Sequence, residues 1–197
     1  MIKLGVFYCV ENNLEKDVNS LKSFFKSKSN NHKYLNHLAH STIYVFDIDL
    51  KKLNNVILEF ENLQKTLSSS SSYIDKWKIF ENDKLTGLNT LSLEIELTDQ
   101  LKVLQMNVVK CLCKYHSQNI KINFDGDLLE SYNKYGYPYV GKNWIPHITI
   151  GSLEIPSKKI FEYLEGLFNF SREITINKLG LFKINGDSHE LLKKIEF

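Results

Sequence analysis

Two spacings of apolar side chains alternate along the first half of the chain. Residues 2–10 form a short run of β-branched and aromatic positions, and over 15–26 the apolar residues Val18, Leu21, Phe24 and Phe25 fall three and four apart. The first pattern predicts a strand and the second a helix. The pair recurs, with alternation over 40–46 and helical spacing over 50–67 through Leu53, Val56, Ile57, Phe60 and Leu63. The serine run 68–72 reads as a flexible turn and a weak boundary, followed by two antiparallel strands over 73–80 and 90–97 around a polar turn containing Gly87. Thr98-Asp99 is a helix start, and the helix it opens runs to about His116.

The second half continues with a short strand over 120–124, an aromatic loop over 132–144 and a strand over 147–153. Pro156 and Ser157 open a helix through Phe161, Leu164, Leu167 and Phe168. Strands over 173–184 and 190–197 flank Asn185-Gly186-Asp187, which is hairpin chemistry. The expected class is α+β with antiparallel sheet. The order strand, helix, histidine-bearing strand, helix is loosely echoed in the second half without a clean repeat at a fixed period, so a duplicated architecture is expected but not demonstrated.

With 197 residues, 43% hydrophobic and 12% aromatic, the chain can bury the core of one compact domain, residues 1–197, or of two small lobes sharing a core. A net charge of +2 implies no general polyanion-binding surface. Contact with nucleic acid would come from a local cleft, favouring small oligonucleotides over long duplexes. The amino terminus lacks signal-peptide features, and no run approaches the roughly 18 apolar residues of a membrane span. A cytoplasmic monomer without membrane association is the expectation. Cys9, Cys111 and Cys113 have neither zinc-site nor thioredoxin spacing and read as reduced, structural or incidental thiols.

Two segments carry chemistry. His40-Ser41-Thr42-Ile43 and His147-Ile148-Thr149-Ile150 are both His-x-Thr-Ile, 107 residues apart. With 6 histidines and 7 threonines in 197 residues, about 0.2 His-x-Thr tripeptides are expected by chance, so two are roughly a 2% coincidence. On a strand, His40 and Thr42 share one face while Ser41, Ile43 and Val45 take the other. His147 and Thr149 likewise share a face, with Ile148 and Ile150 behind them and Gly151 leaving space on the open side. Phosphodiester cleavage needs a base for the attacking hydroxyl or water, an acid for the leaving oxygen, and donors for the non-bridging oxygens. Two imidazoles and two hydroxyls supply that set, one ring neutral and one protonated near pH 7, without metal or other cofactor.

Paired His-x-[Ser/Thr]-hydrophobic motifs about a hundred residues apart resemble the two-histidine (2H) phosphoesterase superfamily, which includes the 2'-5' RNA ligase-like proteins. The resemblance implies a bilobal α+β fold, two antiparallel sheets with flanking helices around a central cleft, each lobe presenting one motif. It also implies that His40 and His147 are the acid and base pair, with Thr42 and Thr149 as phosphate donors, in a metal-independent phosphodiesterase. The implied substrates are small RNA-type phosphodiesters: a 2',3'-cyclic phosphate, a 2'-5' oligonucleotide or a cyclic oligonucleotide. Tyr139, Lys142 and Trp144 are candidate substrate contacts, within an aromatic loop that could instead simply pack on the sheet. A binding module of the same fold without turnover, and RNA end-joining through the same residues, are the alternative functions. His32, His37, His116 and His189 read as surface residues, with His37 reserved for its closeness to the first motif.

Overall fold

In the computed structural model, residues 1–117, 124–165 and 171–197 are described. The expected strand over 120–124, apart from Phe124, and the expected helical residues Leu167 and Phe168 lie outside them. Strands β1 (Ile2–Cys9), β3 (His40–Ile48), β4 (Ser70–Phe80), β5 (Asn89–Ile95), β6 (His147–Leu153), β7 (Arg172–Ile176), β8 (Lys178–Asn185) and β9 (Ser188–Glu196) form one antiparallel sheet in the order β7-β4-β5-β6-β3-β1-β8-β9. A two-residue strand, β2 (His32–Lys33), pairs with β6. Helices α1 (Asn12–Lys26), α2 (Leu53–Leu63), α3 (Asp99–Leu112), α4 (Gly126–Tyr135) and α5 (Ser157–Leu164) complete the α+β architecture. None of the described helices is long and apolar enough to cross a membrane.

The sheet has two halves, each with a motif strand at its inner edge. β6 heads the half containing β5, β4 and β7, and β3 heads the half containing β1, β8 and β9. The halves join through one bridge, Ser41 to Ile148, the middle residues of the two motifs. The bilobal arrangement is thus a single sheet with a one-bridge seam.

Both motif strands carry a β-bulge at the same motif position. In the β1–β3 ladder Phe7 faces Thr42 and Val6 faces Tyr44, so Ile43 is the extra residue. In the β5–β6 ladder Ser92 faces Thr149 and Leu91 faces Gly151, so Ile150 is the extra residue. A bulge inverts the side-chain alternation beyond it. Two expectations fail for that reason. Val45 joins His40 and Thr42 on the cleft face, while Tyr44 is buried. Gly151 leaves no open space, since a Cβ there would lie 2.4 Å from Leu35 Cδ2.

Other elements also differ from the sequence pattern. Ser70 to Ser72 open β4, with Ser70 and Ser72 buried and paired to β7, so the serine run is strand in part. The expected strand over 173–184 is two strands, β7 and β8, which pair in opposite halves of the sheet. Tyr132 and Tyr135 lie on α4, so the aromatic loop is shorter than expected. Thr98 does cap α3, its hydroxyl accepting from the Leu101 amide at 3.2 Å.

Candidate active site

The two histidines are held in the same way. His40 Nδ1 lies 2.7 Å from the Leu38 carbonyl oxygen, and His147 Nδ1 lies 2.7 Å from that of Ile145. Each ring bonds the carbonyl two residues before it, an arrangement that fixes the proton on Nδ1 and leaves Nε2 of the neutral ring as an acceptor. Register adds a second constraint. Continuing the Ser41–Ile148 bridge one step each way sets His40 across from Thr149 and Thr42 across from His147. The two histidines then stand on a diagonal, a separation of about 7–8 Å in an antiparallel pair.

His40, Thr42, His147 and Thr149 all line one cleft of about 400 Å³, within the range of small-ligand sites. Phe7, beneath the first motif, packs against the His40 ring at 4.1 Å between centroids. On the other side Phe80 approaches His147 at 5.3 Å. Burial holds His40 well below its ordinary value, at about 3, and lowers His147 as well. Both rings are therefore favoured neutral before an anion arrives, whereas the sequence suggested one neutral and one protonated ring.

The three candidate substrate contacts are placed differently from one another. Tyr139 lines the cleft, with Tyr137 edge-on to it at 5.6 Å. Trp144 is only 4% exposed, and its indole N–H donates to the Thr42 carbonyl at 3.0 Å. It ties the lead-in of one motif to the backbone of the other, and it also lines the cleft. Lys142 is absent from the cleft lining, and its ammonium meets Asp127 at 2.8 Å.

Two buried polar side chains, unremarked in the sequence, secure the bulges. Lys22 on α1 donates to the Ile150 carbonyl at 3.0 Å and to the Tyr34 carbonyl at 2.9 Å. Gln105 on α3 donates to the Ile43 carbonyl at 3.2 Å and to that of Tyr139 at 3.0 Å. Each bulge carbonyl, displaced from its ladder, is thus met by a helix side chain, as buried acceptors require. The signal was legible: Lys22 shares the apolar stripe of Val18, Leu21 and Phe25, and Gln105 that of Leu101, Leu104 and Val108. His37 and His189, read as surface residues, also line the cleft, whereas His116 packs against Gly136 and Tyr132 away from it.

A continuous antiparallel sheet with two equivalently bulged His-x-Thr strands at its centre defines a class, and the chain has the two-histidine phosphoesterase fold. TT0787 of Thermus thermophilus superposes with a TM-score of 0.67 at 12% identity, covering 99% of this chain and 97% of that one. E. coli LigT complexed with 3'-AMP gives 0.61 at 8% identity, over 100% of this chain and 97% of that one. The MHV ns2 PDE domain gives 0.56 at 13% identity, over 92% of this chain and 99% of that one. No protein-family model and no curated protein matches the sequence.

Proposed function

We propose that this protein is a metal-independent phosphodiesterase acting on small RNA-type phosphodiesters: a 2',3'-cyclic phosphate, a 2'-5' linked oligonucleotide or a cyclic oligonucleotide. The observation that carries the reading is the matched pair of imidazoles, each fixed through Nδ1 to the carbonyl two residues back and facing one cleft. The neighbours' content agrees with it. E. coli LigT has been crystallised with 3'-AMP, and the MHV ns2 domain is described as a PDE.

The reaction follows from the donors and acceptors present. One neutral imidazole takes the proton of the attacking hydroxyl or water through Nε2 as the new P–O bond forms. The other, protonated once the anionic diester is bound, gives its proton to the ester oxygen as the old P–O bond breaks. The Thr42 and Thr149 hydroxyls donate to the non-bridging oxygens, where negative charge gathers in the transition state. One proton enters the pair and one leaves it, so the rings end with their roles exchanged.

The decisive experiment is a product-resolved screen of purified protein against 2',3'-cyclic nucleotides, 2'-5' and 3'-5' oligonucleotides and cyclic dinucleotides, with excess EDTA. Cleavage of at least one class in EDTA is expected. Turnover of none, or turnover lost in EDTA and restored by zinc or manganese, would refute the reading.

A further inference from the structure

Two of the cleft's four imidazoles have no part in the mechanism above. The lining residues include His37, His40, His147 and His189, a single carboxylate, Asp83, and no lysine or arginine. His189, on β9, stands edge-on to His40 at 5.2 Å between ring centroids and edge-on to His37 at 4.9 Å. The three rings thus form a row, His40–His189–His37, along one part of the cleft lining. His37 Nε2 meets Asp187 Oδ1 at 3.1 Å. Asp187 sits in the turn joining β8 to β9, two residues before His189, so one hairpin delivers both the imidazole and the carboxylate that holds its neighbour.

Aromatic packing alone does not account for the row. Phe7 already stacks on Phe182 at 5.2 Å and packs on His40, and a phenyl ring at position 189 would extend that layer without a polar atom. Instead His189 Nδ1 is buried with no hydrogen-bond partner, an uncompensated burial that a packing role would not require. Nor do the rings form a metal site: they cross near right angles, and among the described residues no group of three or more His, Cys, Asp or Glu side chains could hold a metal ion.

We propose that His189 and His37, the latter held by Asp187, form a second anion subsite beside His40 that takes a terminal phosphate monoester on the nucleotide adjoining the scissile linkage. A phosphate monoester carries about −1.5 to −2 charge near neutrality. It is the anion best matched to imidazole N–H donors, in a cleft whose described lining holds no lysine or arginine, and hydrogen bonds to a charged acceptor are the strong ones. A diester reaching only His40 and His147 leaves His189 and His37 without an anion. The subsite rests on the phosphodiesterase reading for its substrate but not for its binding.

The test compares kcat/KM for dinucleotides of the turned-over linkage with and without a 5'- or 3'-terminal phosphate, taking the ratio within each protein. One phosphorylated form should be preferred about tenfold or more. In His189→Phe, and in Asp187→Asn, whose exposed carboxylate is not needed for folding, the ratio should fall toward one. A ratio near one in the wild type, or one unchanged in both variants, would overturn the subsite. If no dinucleotide is cleaved, calorimetric binding of adenosine 3',5'-bisphosphate against adenosine 3'-monophosphate decides separately. Tighter binding of the bisphosphate that Asp187→Asn abolishes would keep the subsite while the phosphodiesterase reading falls, and equal binding would end the subsite.

Discussion

Replacing Lys22 with methionine keeps the aliphatic stem but removes both donors beneath the second motif. At 4% exposure the Lys22 ammonium bonds the carbonyls of Tyr34 and Ile150 at 2.9 and 3.0 Å. Stranding two buried carbonyls costs about 1–3 kcal/mol each, offset in part because a buried charge disappears as well. A net loss of about 1–3 kcal/mol is expected at pH 7. The effect should depend on pH with a definite sign. Burial lowers the Lys22 value from 10.5 to about 8, so between those limits the unfolded chain binds a proton here that the folded chain lacks. Stability from this group therefore rises with pH across that window, at up to about 1.4 kcal/mol per unit. The gap between wild type and Lys22→Met should widen by about 2 kcal/mol from pH 7 to pH 10. Urea unfolding of both proteins at each pH measures it. Taking the difference cancels Tyr8, Cys9 and Cys111, whose values burial raises and which destabilise both proteins equally at high pH. A gap that stays constant or narrows would refute the placement of the ammonium.

Four further outcomes are expected. His40→Ala and His147→Ala should each lose about 10²–10⁴-fold in turnover, and the double variant should be little worse than the worse single one, as steady-state kinetics will show. Because burial lowers both imidazoles from 6.5, the acid limb of kcat/KM should lie below pH 6.5, and stability should likewise fall as pH drops below 6.5, since the unfolded chain then takes protons the folded site resists. Thr42→Val and Thr149→Val should cost about 10²–10³-fold in kcat while weakening an uncleavable analogue far less. Gly151→Ala must displace Leu35 and should destabilise by about 1–3 kcal/mol in thermal or urea unfolding.

The motif strands were legible because period-two alternation is a local property: the strand expected over 147–153 is β6, and that expected over 40–46 begins β3 at His40. The bulges were not, since an extra residue exists only relative to the strand it pairs with. Val45 and Gly151 were assigned to the wrong side on that account. The serine run misled for a related reason: Ser70 and Ser72 are buried by pairing with β7, a hundred residues away, which no local composition reveals. α4 escaped notice although Leu128, Leu129, Tyr132 and Tyr135 recur at helical spacing, because its tyrosines run on into Tyr137 and Tyr139 and read together as an aromatic loop. His37 and His189 reach the cleft through a loop and a hairpin whose placement belongs to the tertiary fold, although the Asp187-x-His189 spacing beside the turn was visible.

The pairing of β1 with β8, Lys3 opposite Ile184, sets the order in which this molecule can be built. The half containing β4, β5, β6 and β7 comes from one stretch of chain, residues 70–176, and closes only moderate loops. In the other half β1 and β3 pair within the first 48 residues, but the second edge of β1 waits for β8, a ladder that spans nearly the whole sequence, and such long-range contacts are slow to form. On a ribosome delivering some 5–20 residues per second, β8 and β9 follow the end of β7 by about 1–4 seconds. Until residues 178–196 have emerged, the nascent sheet ends at β1, whose free edge is open to pairing with any other extended strand.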